Sequence, residues 1–242
     1  MLKGLILFVC LTSGDLAFAE SNLQSFEPNP LLLDSSLVFD VNVPALIKNQ
    51  MLADLKFMSS IRGQKQTPLH RQIFGPVSGA SYQSFFQAHI QNVGLDSCGD
   101  SNAVACVIPF GNPNKMWVTQ NFIKFKHPQI ARLMVMYHEA RHSESDNGNW
   151  PHDTCPDPFL DSQGRDMKSI WTGAKLAGEP ACDSTALGSY GSSTILLKNI
   201  GKFCDNCNSK VKMDADLYAT DQLGRIDRTD VKQEMLLDFA KE

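Results

Sequence analysis

The amino-acid sequence predicts an α+β fold in which helices flank one short strand pair. Three observations carry this. Apolar residues recur at helical spacing over 44–61 and again from Pro128 to His142. Two runs rich in apolar, aromatic and β-branched residues, 104–110 and 115–125, enclose the turn-forming Gly111-Asn112-Pro113-Asn114. Helical patterns then resume to the end of the chain, so element types are grouped along the sequence and do not alternate.

Residues 1–19 read as a secretory signal peptide. Met1-Leu2-Lys3 is a positive start, Gly4 to Leu11 is apolar, and Ala17-Phe18-Ala19 places small residues where a signal peptidase reads them. The protein is therefore expected to be secreted or periplasmic. Val9 before Cys10 is too bulky for a lipoprotein processing site. Residues 20–42, rich in Ser, Asn, Pro and Asp, read as an extended arm or propeptide-like segment, and 43–242 as a single domain.

Within that domain, Leu46, Met51, Leu52, Leu55 and Met58 give 44–61 its helical stripe. The Gly-, Pro- and Gln-rich stretch 62–79 reads as a loop. Residues 81–93 read as a helix with Phe85, Phe86, His89, Ile90 and Val93 on one face, ended by Gly94. After the hairpin, Pro128 opens the next helix at a position where a missing N–H costs nothing. That helix carries Ile130, Leu133, Met134, Tyr137 and Arg141 on one stripe, and Val135, His138 and His142 on another. Residues 143–158 are turn-rich. A helix is expected over 180–199, where Ala186, Gly188, Ser189 and Gly191 permit close approach of another backbone. Further C-terminal helices are expected at 209–222 and 230–241, the last with a solvated charged face.

The 242-residue chain has 22 Lys+Arg against 26 Asp+Glu, a formal charge of -4. This mildly acidic balance excludes nucleic acid as the main partner, which requires a concentrated basic surface. No stretch reaches the roughly 18 apolar residues of a membrane span, so none is expected once the leader is removed. Of seven cysteines, Cys10 lies in the leader. The remaining even set in an exported chain favours three disulfides. Local grouping selects Cys98–Cys106, Cys155–Cys182 and Cys204–Cys207. Half a zinc knuckle or a redox motif at Cys204-Asp-Asn-Cys207 is disfavoured, because no second CxxC accompanies it.

The chemistry concentrates in His138-Glu139-Ala140-Arg141-His142. Positions i and i+4 lie one helical turn apart on one face, so both imidazoles can reach one metal ion. Glu139 stands about 100° around the helix, beside the metal. There a carboxylate can take a proton from metal-activated water and pass it to a leaving amine. The other histidines, His70, His89 and His127, lack ligand spacing. His89, on an apolar helical face, reads as a satisfied core histidine. Trp117, Trp150 and Trp171 read as packing residues, and Arg141 as a local ion pair with Glu144 or Asp146.

Through His138, Glu139 and His142 the chain resembles the zincin metallopeptidases. The resemblance covers one helix and the preceding hairpin. It implies a zincin-like fold, with an active-site helix packed under a small β-sheet, additional C-terminal helices, and an edge strand that pairs with extended substrate. Residues 115–125 are the expected edge. It also implies a secreted Zn2+-dependent peptidase acting on a peptide or protein substrate, with Glu139 catalytic.

The third ligand stays open among three residues. Ser145 and Gly148 stand where the metzincin pattern requires Gly and His, which disfavours that subfamily. His152 is preferred, because the Asn147-Gly148 turn lets the chain reverse toward the metal. Asp183 is the alternative, as ligand or as the carboxylate orienting a ligand imidazole. Its surroundings are partly similar to the aspzincin motif, although six residues separate it from Tyr190 where that family has two. Glu179 ranks last. Tyr190 reads as a packing aromatic, with oxyanion stabilisation as its other role. Two rival functions are a non-enzymatic exported disulfide-bonded domain with a structural metal or none, and a zinc amidohydrolase.

Overall fold

The computed structural model describes residues 37–241 apart from 97, 100 and 101. Residues 1–19, expected as a signal peptide, and residues 20–36 of the expected arm lie outside the described residues. The order is β1 (Val38–Phe39), α1 (Ala45–Ser59), α2 (Pro68–Phe74), α3 (Gly79–His89), β2 (Asn92–Leu95), β3 (Ala105–Ile108), β4 (Asn112–Val118), α4 (Gln120–Lys124), α5 (Gln129–His142), α6 (Ser189–Phe203), α7 (Ser209–Gly224) and α8 (Thr229–Ala240). The architecture is α+β, as the grouping of patterns predicts. Among the described residues no helix is long and apolar enough to cross a membrane. The three disulfides join Cys98 to Cys106, Cys155 to Cys182 and Cys204 to Cys207, and suit an oxidising compartment.

The sheet order is β1-β2-β4-β3. β1, β2 and β4 run parallel, and β3 is antiparallel to β4. This corrects the expected substrate edge: residues 115–118 lie inside the sheet, and the edges are β1 and β3. The strand ends at Val118 because Thr119 caps a new helix, its side chain accepting from the Asn121 amide at 3.1 Å. The end of the arm-like segment also joins the sheet, through Val38 and Phe39.

Other differences have local causes. The loop expected over 62–79 holds α2, where Pro68 takes the first helical position and the Thr67 hydroxyl accepts from the His70 amide. The helix expected to reach residue 93 stops at His89, and 92–95 form β2. Gly94 is thus a strand residue, where an added Cβ would meet the Trp117 ring at 2.5 Å. The helix expected from residue 180 begins only at Ser189, and 143–188 form an extended irregular segment.

α5 is the axis of the core. It packs against β3, β4, α1, α3, α6 and α7, and buries Ile130, Leu133, Met134, Met136, Tyr137 and Ala140. Its rotation is fixed by a fork from Arg132 to the buried Asp54 of α1, at 2.6 and 2.7 Å. Nearby, His70 is the fully enclosed histidine, the role expected of the half-buried His89. Its ring nitrogens lie 2.9 Å from the Gly75 carbonyl and 2.9 Å from the Tyr82 hydroxyl, which suits the neutral ring.

Burial lowers the His70 pKa from 6.5 to about 4. Below about pH 6.5 the unfolded chain takes up a proton that the fold refuses. Stability from this group is therefore full above 6.5 and falls as pH drops toward 4, by up to about 3 kcal/mol. His70→Gln should flatten that acid limb of urea unfolding between pH 4 and 7. An unchanged limb would assign it to other groups.

Candidate metal centre

His138 and His142 project from the last turn of α5 toward one point, one helical turn apart. The chain then reverses. Gly148, Asn149 and Trp150 all adopt positive φ, at 68°, 62° and 45°, and carry His152 back over the helix. The turn is pinned from both sides. Asn149 donates its side-chain amide to the His142 carbonyl at 2.8 Å, and its own carbonyl accepts from His142 Nδ1 at 2.9 Å. Trp150 Nε1 donates to Glu144 at 2.8 Å, and the Arg141 guanidinium lies over the Trp150 ring while pairing with Glu144. Arg141 thus ties the reversal to the last turn of α5.

The result is a triangle of Nε2 atoms. His138 and His142 are 3.3 Å apart, and each lies 3.1 Å from His152. The outer nitrogens are engaged elsewhere. His142 Nδ1 faces Asn149, His152 Nδ1 lies 2.8 Å from Asp183 Oδ1, and the Ser189 backbone carbonyl accepts from His138. Each ring therefore carries its proton on the outside and turns a lone pair inward. Burial and the neighbouring imidazoles hold His138 well below its ordinary pKa and His142 at about 4, so neither ring protonates readily.

Glu139 faces the same space. It is 4% exposed, its Oε2 has no hydrogen-bond partner among the described residues, and the Val107 amide of β3 donates to the carboxylate. Burial pushes its carboxyl up to about 8. Around it lies a cavity of about 620 Å³, lined by β3, by Val135 of α5, by Trp171 and Leu176 of the irregular segment, and by Tyr190 and Arg225.

No protein-family model, curated protein or solved structure matches this chain. Tetrahedral ligands about 2.0–2.1 Å from a metal stand about 3.3–3.4 Å apart, close to the observed triangle. Three inward lone pairs at this spacing repel one another unless a cation or a proton lies between them. The buried His138/His142/His152 group fits a metal ion.

The other expected ligands fall outside the triangle. Asp183 sits behind His152, on the side away from the Nε2 cluster, and orients the ring. Glu179 lines the cavity without joining the cluster. Asp183 also does more than its place in the sequence indicates. It stands outside α6, and its Oδ2 accepts from the Tyr190 and Gly191 amides at 2.7 and 3.4 Å. It therefore caps the helix N-terminus that Gly188, with no side chain, leaves uncapped.

An added Cβ at Gly188 would meet Asp183 Oδ2 at 2.4 Å. Gly188→Ala should therefore displace Asp183 and loosen His152. The expected result is about 10–100-fold weaker metal binding, the usual cost of losing a partner that orients a ligand, measured by competition with a chromophoric chelator. Unchanged affinity would show that Asp183 does not set the His152 ring.

Proposed function

We propose that the protein is a zincin-type Zn2+-dependent peptidase that hydrolyses peptide bonds through activated water. The observation that carries this reading is the convergence of three imidazoles from protonated outer nitrogens, with a buried carboxylate beside them and an open cleft under an edge strand. Three nitrogen ligands with no fourth donor in the group among the described residues suit a catalytic metal; structural zinc sites are closed by four. This weighs against the non-enzymatic reading. The long irregular segment, the helix beneath a small sheet and the antiparallel edge strand are consistent with a zincin-like arrangement.

His138, His142 and His152 would hold the ion. Zinc there supplies Lewis acidity, polarising a carbonyl and acidifying water toward a pKa of about 7. Glu139 accepts the water proton on its partnerless Oε2, while the Val107 amide holds the carboxylate in place, and then delivers that proton to the departing amine. β3 offers an extended peptide the part of its outer edge that Glu139 does not take at the Val107 amide, in the manner of an added strand. The Tyr190 hydroxyl stands ready to donate to the oxygen on which negative charge develops. The apolar walls at Val135, Trp171 and Leu176 suit a bulky apolar side chain next to the scissile bond.

Metal removal tests the reading. Protein stripped by a chelator should lose hydrolysis of casein, and one equivalent of zinc should restore it. A zinc-loaded protein that cleaves acyl amides but no peptide would favour the amidohydrolase. One that cleaves neither would leave a structural site.

A further inference from the structure

We propose that Arg225 is a positioning residue that fixes the Tyr190 phenol as a hydrogen-bond donor toward the cleft; the catalytic part of this rests on the peptidase reading above. Tyr190 lies on the first turn of α6. Its ring stacks on His152, with centroids 4.5 Å apart at 25°, and tilts against His138 at 4.6 Å. Arg225 follows α7 directly and is 6% exposed. Its Nη1 donates to the Tyr190 hydroxyl at 2.9 Å, and its guanidinium carbon lies 4.7 Å from the centre of the same ring. Both residues line the cavity that contains His138, Glu139 and His152.

The direction of that hydrogen bond matters. A guanidinium has donors only, whereas a phenol has one proton and lone pairs. Tyr190 must therefore accept from Arg225, and its own proton is left for another acceptor. Among the described residues none receives it. A phenol held by a lysine or a backbone amide would have the same polarity but not the same fixation. The planar guanidinium both bonds the oxygen and covers the ring face, restricting rotation about the bonds that carry the hydroxyl.

The guanidinium is itself anchored. Asp221 Oδ2 lies 3.3 Å from its Nε, an ion pair that offsets the buried charge without a hydrogen bond at Nε among the described residues. Asp221 is held in turn by the Ile170 amide at 3.2 Å and the Gln222 side chain at 2.8 Å. The Arg225 carbonyl accepts from the Asp183 amide at 3.0 Å. The carboxylate of Asp183 then holds both the Tyr190 amide and His152. One connected set of contacts thus places the phenol and the third imidazole together. The side chain of Arg225 serves the first, and its backbone serves the second.

This division makes the side chain testable without disturbing the metal. Arg225→Gln, Arg225→Lys, Tyr190→Phe and the Arg225→Gln/Tyr190→Phe pair should all bind zinc within about threefold of the parent. Tyr190→Phe should lower kcat by roughly 10²-fold, the scale of one lost oxyanion donor, with KM little changed. Arg225→Gln should lower kcat about tenfold, Arg225→Lys less, and the double variant no further than Tyr190→Phe alone. In metal-free protein, the Tyr190 Cζ carbon resonance should shift in Arg225→Gln.

Additive losses in the double variant, or a tenfold drop in zinc affinity in Arg225→Gln, would overturn the proposal in favour of a substrate-binding or purely structural arginine. So would an unmoved carbon resonance, whether or not the protein cleaves peptides. A parent that binds zinc yet cleaves nothing overturns the peptidase reading and the catalytic part of this one. A resonance that still shifts identifies that case.

Discussion

On the proposed peptidase reading, Glu139→Gln is expected to keep a full equivalent of zinc and to lose peptide hydrolysis by about 10²–10⁴-fold, the range a positioned general base contributes. Glutamine preserves the length of the side chain and an oxygen for the Val107 amide. What it lacks is a site that takes up a proton at Oε2. The variant also separates lost chemistry from lost folding. In the metal-free protein, burial pushes the Glu139 carboxyl up to about 8. The fold therefore binds a proton that the unfolded chain releases near the ordinary carboxylate range. Its contribution to stability is full at low pH and disappears as pH rises through 8. A neutral glutamine escapes the cost of an ionised buried carboxylate. Metal-free Glu139→Gln should then unfold at no lower urea than the parent at pH 8. Equal peptidase activity in the two proteins would remove Glu139 from the mechanism.

The elements legible in the sequence are those whose determinants are local. α5 shows through Pro128 and its two stripes, and the β3–β4 hairpin through its strand runs, although the turn falls at 109–111 and Asn112, Pro113 and Asn114, expected in the turn, open β4. α7 and α8 likewise fall close to their expected bounds. β2 escapes because Phe85, Phe86, His89, Ile90 and Val93 continue a helical period across a boundary that only parallel pairing with β4 sets. The start of α6 is displaced for a related reason. Its cap is Asp183, which reaches the helix from outside, so no residue just before Ser189 marks the terminus.

The centre divides in the same way. His138, Glu139 and His142 are readable because one helical turn brings them together. His152 is favoured through a turn, and choosing it over Asp183 requires knowing which side of the imidazole the carboxylate occupies. Arg225 carries no sequence signal. It lies 83 residues beyond the end of the motif and reaches the cavity only because α7 packs on α5 and α6. Tyr190 reads as a packing aromatic, and it does pack, yet on the two imidazoles and under a guanidinium.

The second large effect is expected from the Cys155–Cys182 disulfide. His152 is three residues before Cys155, and Asp183 is the residue after Cys182. The two strands of the irregular segment also pair here, Asp153 and Cys182 exchanging backbone hydrogen bonds at 2.7 and 3.1 Å. Around the bond, Phe159 and Leu176 form only a small satellite core, so beyond this bond the placement of His152 rests on the pinned turn at 148–150 and on the polar contacts of Asp183. Replacing both cysteines by serine frees a loop with a sequence separation of 27. Chain entropy puts that loss at about 3–4 kcal/mol. Because the freed segment carries both a ligand and the carboxylate that orients it, zinc affinity should fall at least 10–100-fold as well. The Cys204–Cys207 pair, with a separation of 3, closes a tight turn away from the cleft and serves as the control. Its double serine variant should leave zinc affinity unchanged. Both affinities come from one chelator competition on oxidised, folded protein. If removal of the Cys155–Cys182 bond left zinc affinity intact, the backbone pairing and the His152–Asp183 contact alone would suffice to place the third imidazole.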